Sequence, residues 1–156
     1  PTFTNAKYWA SKENWRLANH PSQKDSGSFM ENDWKVLAEN GMIEIVDGDE
    51  TFIDDIDIYL TNGHTTGCMH PLISDGNNTL FYGADIIPMA AHIPVPWVMA
   101  YDINPVVTVQ EKIKILTKVV DENWILFFEH EPNIQACTVY NNGKHFKMKS
   151  SVIISE

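Results

Sequence analysis

Three side chains able to bind a metal stand at the ends of three apolar runs. His64 closes Leu60-Thr61-Asn62-Gly63-His64 and is followed by Thr65-Thr66-Gly67, after the alternating positions Ile56, Ile58 and Leu60. Asp85 closes Phe81-Tyr82-Gly83-Ala84-Asp85, and His130 closes Trp124-Ile125-Leu126-Phe127-Phe128-Glu129-His130. Imidazole and carboxylate are borderline-to-hard donors that suit zinc, iron or manganese. A single loop histidine is more often structural or superficial than a ligand. The recurrence at three strand ends is what points to one site. Serine and cysteine offer no convincing nucleophilic triad; Cys68, four residues after His64, reads as a packed thiol without catalytic duty.

Strands must hold these residues, and the pattern supplies them. Alternation through Ile56–Leu60 reads as a half-buried strand that turns at glycine. Upstream, Asn5 to Ala10 is a short strand, and Ser11 is an N-cap for a helix to about Asn19. His20-Pro21 stops it, and Ser22 to Ser28 form a polar loop. A second helix covers Phe29 to Glu39, with Gly41 as its stop. Met42 to Val46 is a strand, Asp47-Gly48-Asp49 a turn, and Phe52 to Leu60 a strand or strand pair. Met69–Ile73 and Thr79–Tyr82 flank a hairpin turn at Asp75-Gly76-Asn77-Asn78.

Residues 86–102 contain three prolines and are too apolar for a solvated loop, so a lid or pocket wall is expected. A helix follows with Val109, Ile113, Leu116 and Val120 inward, and Glu111, Lys112, Lys114 and Lys118 mostly on its surface. After the strand Trp124 to Phe128 the chain closes with a hairpin turning at Asn141-Asn142-Gly143. There Phe146 and Met148 face in and His145, Lys147 and Lys149 face out.

At 156 residues with 44 % hydrophobic content the chain is one domain long. A net charge of −10 argues against a nucleic-acid footprint, and the lone arginine, Arg16, against a guanidinium clamp. No apolar run reaches the roughly 18 residues a membrane span needs. Cys68 and Cys137 form no spaced motif, so a reducing cytoplasm is the simplest setting.

Gly63-His64-Thr65-Thr66-Gly67, Tyr82-Gly83-Ala84-Asp85 and Glu129-His130, spaced by 21 and 45 residues, together resemble the second half of the metallo-β-lactamase-fold hydrolases. The resemblance covers nearly the whole chain. It implies an α/β class, an αβ/βα sandwich with a dinuclear metal site at one edge, and a small-molecule substrate. His64 would ligate one divalent ion, Asp85 would bridge both as the catalytic carboxylate, and His130 would ligate the second. Zinc is the first expectation, with iron or manganese as alternatives. Bound ions would lower the pKa of a water towards about 7 and make it the nucleophile.

Thr66 stands where most relatives have proline. More seriously, the first metal motif, His-x-His-x-Asp-His, is absent, and with it four of the seven ligands the resemblance implies. The chain is therefore expected to be a C-terminal portion lacking that motif, completed by a missing N-terminal half or a second copy. A non-catalytic module of the same fold, acting in binding or assembly, is the rival expectation. The loop from Ala91-His92 to Asp102 and Asn104-Pro105 resembles the lactonase and organophosphate-hydrolase-like branch, hence a small ester, lactone or phosphotriester.

Within that loop several readings stay open. His92 could face the metals or substrate, or be structural. Asp102 could orient a metal-bound histidine, or serve as a helix-entry cap or in a turn. Trp97 and Tyr101, with Met89 and Met99, could line a substrate pocket or be core. His20, His70 and His145 read as structural or surface residues. Because most of an opposing sheet is missing, Phe52–Leu60 and Trp124–Phe128 are expected to bare an apolar face and drive association.

Overall fold

The computed structural model describes residues 1–48, 50–53 and 55–154, and of 50–53 the backbone only; Asp49 of the expected turn lies outside the described residues. Ser11 ends β1 (Tyr8–Ser11), and its Oγ accepts from Asn14 N at 3.2 Å, so one residue closes a strand and caps α1 (Lys12–Asn19). α2 (Glu31–Glu39) stops before Gly41, whose φ of +64° is a value glycine adopts without strain. β2 (Ile43–Val46) then pairs parallel to β1, in register from Tyr8↔Ile43 to Ser11↔Val46.

The remaining strands form a seven-stranded sheet in sequence order. They are β3 (Glu50–Ile53), β4 (Ile56–Thr61), β5 (Cys68–Ser74), β6 (Thr79–Tyr82), β7 (Ile125–Phe127), β8 (Ala136–Asn141) and β9 (Phe146–Val152). The strand or strand pair expected at Phe52–Leu60 is the pair β3–β4. Neighbours are antiparallel except β6 and β7, which are parallel. A parallel pair needs a long crossover. Here it comprises the proline-rich loop, with one 3-10 turn at Ala90–His92, and α3 (Pro105–Asp121).

Registered partners share a face, so Tyr59 and His70, and Leu72, Phe81, Leu126 and Cys137, point the same way. α3 covers that face with Ile115, Leu116 and Val119, and the loop covers it with Ile86, Ile87 and Ile93. Phe81 stacks at 5.6 Å on His70 and at 6.0 Å on Trp124 in this core. The other face carries Ile56, Ile58, Leu60, Met69, Pro71, Ile73, Leu80, Tyr82, Ile125 and Phe127, of which only Ile58 is buried. The small sheet adjoins the large one where β1 meets β5 and where Ser11 Oγ donates to Gly67 O.

Three expectations need correction. Trp124, Leu126 and Phe128 are buried under α3 and the loop; the half-open residues of that strand are their alternates Ile125 and Phe127. The inward stripe of α3 is Thr108, Lys112, Ile115, Leu116 and Val119, with Ile113 exposed and Lys112 fully buried. A lysine stem packs like an aliphatic side chain when its ammonium finds acceptors. Met148 is exposed on β9, an edge strand that among the described residues pairs only with β8.

Candidate metal centre

β4 and β6 are each antiparallel to β5, and β7 is parallel to β6, so β4, β6 and β7 run in one direction. Their C-terminal ends open on one edge of the sheet. β4 ends at Thr61, β6 at Tyr82 and β7 at Phe127, which places His64, Asp85 and His130 each three residues beyond its strand. The structure brings all three together. His64 Nε2 lies 3.5 Å from Asp85 Oδ2, and His130 Nε2 lies 3.1 Å from Asp85 Oδ1. One carboxylate oxygen faces each imidazole.

Behind His64, Nδ1 meets Asp102 Oδ1 at 2.9 Å. With Asp102 Oδ1 as acceptor, Nδ1 is the donor of this bond and Nε2 is the ring nitrogen turned towards Asp85. At His64 a ring nitrogen and a carboxylate oxygen face one another as they would across a shared cation, whereas at His130 the same atom types stand at hydrogen-bond distance. Zinc bonds of 2.0–2.1 Å at a tetrahedral angle separate two ligand atoms by about 3.3–3.4 Å, and 3.5 and 3.1 Å lie on either side of that. The residue types and the His64–Asp85 spacing are those a divalent ion would take. Each pair supplies two protein donors, below the three or four of a zinc site; among the described residues no group of three His, Cys, Asp or Glu could hold one ion.

The loops are fixed by their neighbours. A Cβ on Gly63 would lie 2.4 Å from Thr108 N, so only glycine lets the start of α3 reach the His64 loop. Glu111 accepts from Asn62 N at 2.8 Å and Gly63 N at 2.9 Å. Ile103 N and Asn104 N donate to His64 O and Gly63 O at 3.0 and 2.8 Å. On the Asp85 side, Gly83 N donates to Phe127 O, tying β6 to β7, and Ile86 N donates back to Gly83 O. His130 N donates to Pro88 O at 3.1 Å, which joins the third candidate ligand to the crossover loop.

Asp102 lies against His64 and also closes a turn, its N–H donating to Met99 O at 3.2 Å. Its side chain is 1 % exposed against His64, and Asn104, not Asp102, is the N-cap of α3. His92 is half-buried, with Nδ1 buried and unpartnered among the described residues, and its pKa is lowered by burial and then by the charge of Lys112. It is not among the residues brought to Asp85. Trp97 and Tyr101 are not core: they are 62 % and 76 % exposed. Tyr101 borders a cleft of about 220 Å³ with His64, Thr65, Lys24, Asp25 and Phe29.

His70 is structural. Its Nδ1 donates to Tyr82 O at 3.2 Å, its Nε2 accepts from Thr61 Oγ1 at 2.8 Å, and burial lowers its pKa to about 4. His20 and His145 are exposed. Burial, aided by Asp85, Glu111 and Glu129, pushes the Cys68 thiol up to about 12, as a packed, un-ionised thiol requires. Both cysteines are free.

Three supporting contacts escaped the sequence reading: Glu111 on the Asn62–Gly63 amides, Tyr82 Oη donating to Glu129, and Lys24 Nζ donating to Asp102 O at 2.9 Å. A charged residue on a helix or in a polar loop carries no sequence signal for such a role. No helix among the described residues is long and apolar enough to cross a membrane.

No family profile matches the sequence, and no curated protein matches it either. Solved structures do. The dizinc quorum-quenching lactonase AidC superposes with a TM-score of 0.76 at 20 % identity, over 98 % of this chain and 57 % of its own. A probable metal-dependent hydrolase from Staphylococcus aureus gives 0.80 at 18 %, over 96 % and 54 %. The hydrolase AbOPH of the β-lactamase superfamily gives 0.82 at 15 %, over 99 % and 57 %. The chain thus spans little more than half the length of these structures, and its fold is the C-terminal half of the metallo-β-lactamase fold.

Proposed function

We propose that this chain is the C-terminal half of a metal-dependent hydrolase that uses two divalent ions, zinc before iron or manganese, on a small ester, lactone or phosphotriester. One observation carries the reading: Asp85 turns one oxygen to His64 Nε2 and the other to His130 Nε2. His64 would hold one ion, His130 the other, and Asp85 both. Bound ions would supply Lewis acidity and a water whose pKa is lowered to about 7.

The chain's own residues would do the positioning. Asp102 accepts from His64 Nδ1 and leaves Nε2 turned towards Asp85. Glu111, Ile103 and Asn104 fix the loop carrying that histidine. The cleft between Tyr101, Phe29 and Lys24 would seat a substrate group beside His64. The other metal ligands would come from a His-x-His-x-Asp-His run upstream or in a partner chain. AidC, a dizinc lactonase, is the kind of neighbour that makes a lactone the first substrate to try.

The test is hydrolysis of lactone, ester and phosphotriester substrates by the protein at its full natural length, with chelation and zinc add-back. Activity lost on chelation and restored by metal is expected. The 156-residue polypeptide alone should bind divalent ions weakly and turn over nothing. A full-length protein that binds no metal would favour the rival reading, a module for binding or assembly. Chelator-sensitive turnover by the short polypeptide would overturn the assignment of ligands outside it.

A further inference from the structure

Lys112 sits in the middle of α3 with no exposed surface. Its Nζ donates to Pro94 O at 2.9 Å, Val95 O at 3.2 Å and Trp97 O at 2.7 Å. An ammonium has three protons, and all three go to one four-residue stretch of backbone. Pro94 and Pro96 have no N–H, so this stretch cannot join a sheet ladder and its carbonyls need partners from elsewhere. Burial lowers the Lys112 pKa to about 8, against the opposing effect of the Asp102 charge. The partners are carbonyls of a loop, so the residue acts as a clamp on backbone.

The same loop has a second anchor. Ile103 N and Asn104 N donate to the carbonyls of His64 and Gly63. The chain carries two large aromatic side chains outwards, Trp97 at the end of the first anchor and Tyr101 between the two, and Tyr101 borders the cleft beside His64. Aromatic rings on a fixed backbone bind apolar ligand surface without the entropic cost of ordering the loop.

We propose that Lys112 is a positioning residue: it clamps residues 94–97 to α3 so that Trp97 and Tyr101 form a fixed wall for the apolar part of the substrate. The substrate half of this inference rests on the hydrolase reading; the clamp does not. Lys112 touches none of the candidate ligands His64, Asp85 and His130, so loss of the clamp is read first in ligand binding. Its charge also acts on Asp102, and Lys112→Arg, which keeps that charge, separates the two effects.

The experiment is Lys112→Met in the full-length protein, followed by hydrogen exchange and steady-state kinetics. Met keeps the stem and removes the donors. Amide exchange over 97–102 should rise by about tenfold or more while strand amides of β4–β8 stay unchanged. KM should rise severalfold with kcat within about twofold, and Lys112→Arg should recover part of both. Exchange that rises across the whole sheet, or does not rise in the loop, overturns the clamp. If Lys112→Met does not fold, the surface variants Trp97→Ala and Tyr101→Ala carry the test, and an unchanged KM in both overturns the wall. Loop exchange is read without turnover, so an inactive protein would sink the hydrolase reading and leave the clamp separately tested.

Discussion

Asp102 holds His64 from behind: Oδ1 accepts the Nδ1 proton at 2.9 Å from a side chain that is 1 % exposed. A carboxylate at that position fixes both the ring's orientation and its tautomer, which is how outer partners raise the affinity of a ligating histidine. Asp102→Ala leaves Nδ1 buried without an acceptor and frees the ring. In the full-length protein, divalent-metal affinity should fall by about 10- to 100-fold, as measured by competition with a chromogenic chelator. An unchanged affinity would mean that His64 does not ligate through Nε2.

Gly63 touches α3 so closely that a methyl group has no place. In Gly63→Ala the new Cβ would lie 2.4 Å from Thr108 N and 2.5 Å from its Cα, both backbone atoms that cannot swing aside. The start of α3 must move, and overpacking of this kind costs about 1–3 kcal/mol. Urea unfolding should show a lower midpoint at an unchanged m-value. A variant as stable as the parent would contradict the packing described here.

His70 makes stability fall in acid. Its folded pKa of about 4 lies below the ordinary histidine value of 6.5, so the unfolded chain binds the extra proton between those limits. The stabilisation is complete above pH 6.5 and is lost as pH falls towards 4. The shift corresponds to on the order of 3 kcal/mol. Thermal melts across pH 7 to 4 should show the decline, and His70→Phe should flatten it although the variant starts lower. Equal slopes in both proteins would remove His70 as the cause.

The half-open sheet face should drive association. Ile56, Leu60, Met69, Leu80, Ile125 and Phe127 share that face and are only partly covered, and Ile73 is exposed. Covering several hundred Å² at roughly 25 cal/mol per Å² contributes several kcal/mol. Light scattering on the 156-residue polypeptide should therefore find dimers or larger species. A monodisperse monomer that melts cooperatively would show that the small sheet and α1 shield this face well enough.

The three candidate ligands were legible because each follows an apolar run and a turn, and local pattern is enough to mark where a strand stops. Their convergence depends on strand direction, which the hairpin signal at Asp75–Asn78 made readable for β5 and β6. Asp102 could be read more than one way because a carboxylate just before a helix suits a cap, a turn or a histidine partner alike. The N-cap position falls on Asn104, while Asp102 sits in a turn against His64. Lys112 was misplaced because periodicity sorts residues by type, and a lysine whose stem is buried looks the same as one in water. Trp124 to Phe128 is apolar at every position, so its sequence holds no period from which to tell the covered face from the open one.

The second anchor of the proline-rich loop consists of main-chain atoms only: the amides of Ile103 and Asn104 on the carbonyls of His64 and Gly63. Only proline at 103 or 104 would remove one of those donors; other side-chain changes leave both bonds in place. Side chains of residues 97–101 can therefore diverge while the atoms that would grip metal stay where they are. A lineage built on this architecture could try new substrates by drifting at Trp97, Ala100 and Tyr101, with little risk to the ligands at each step.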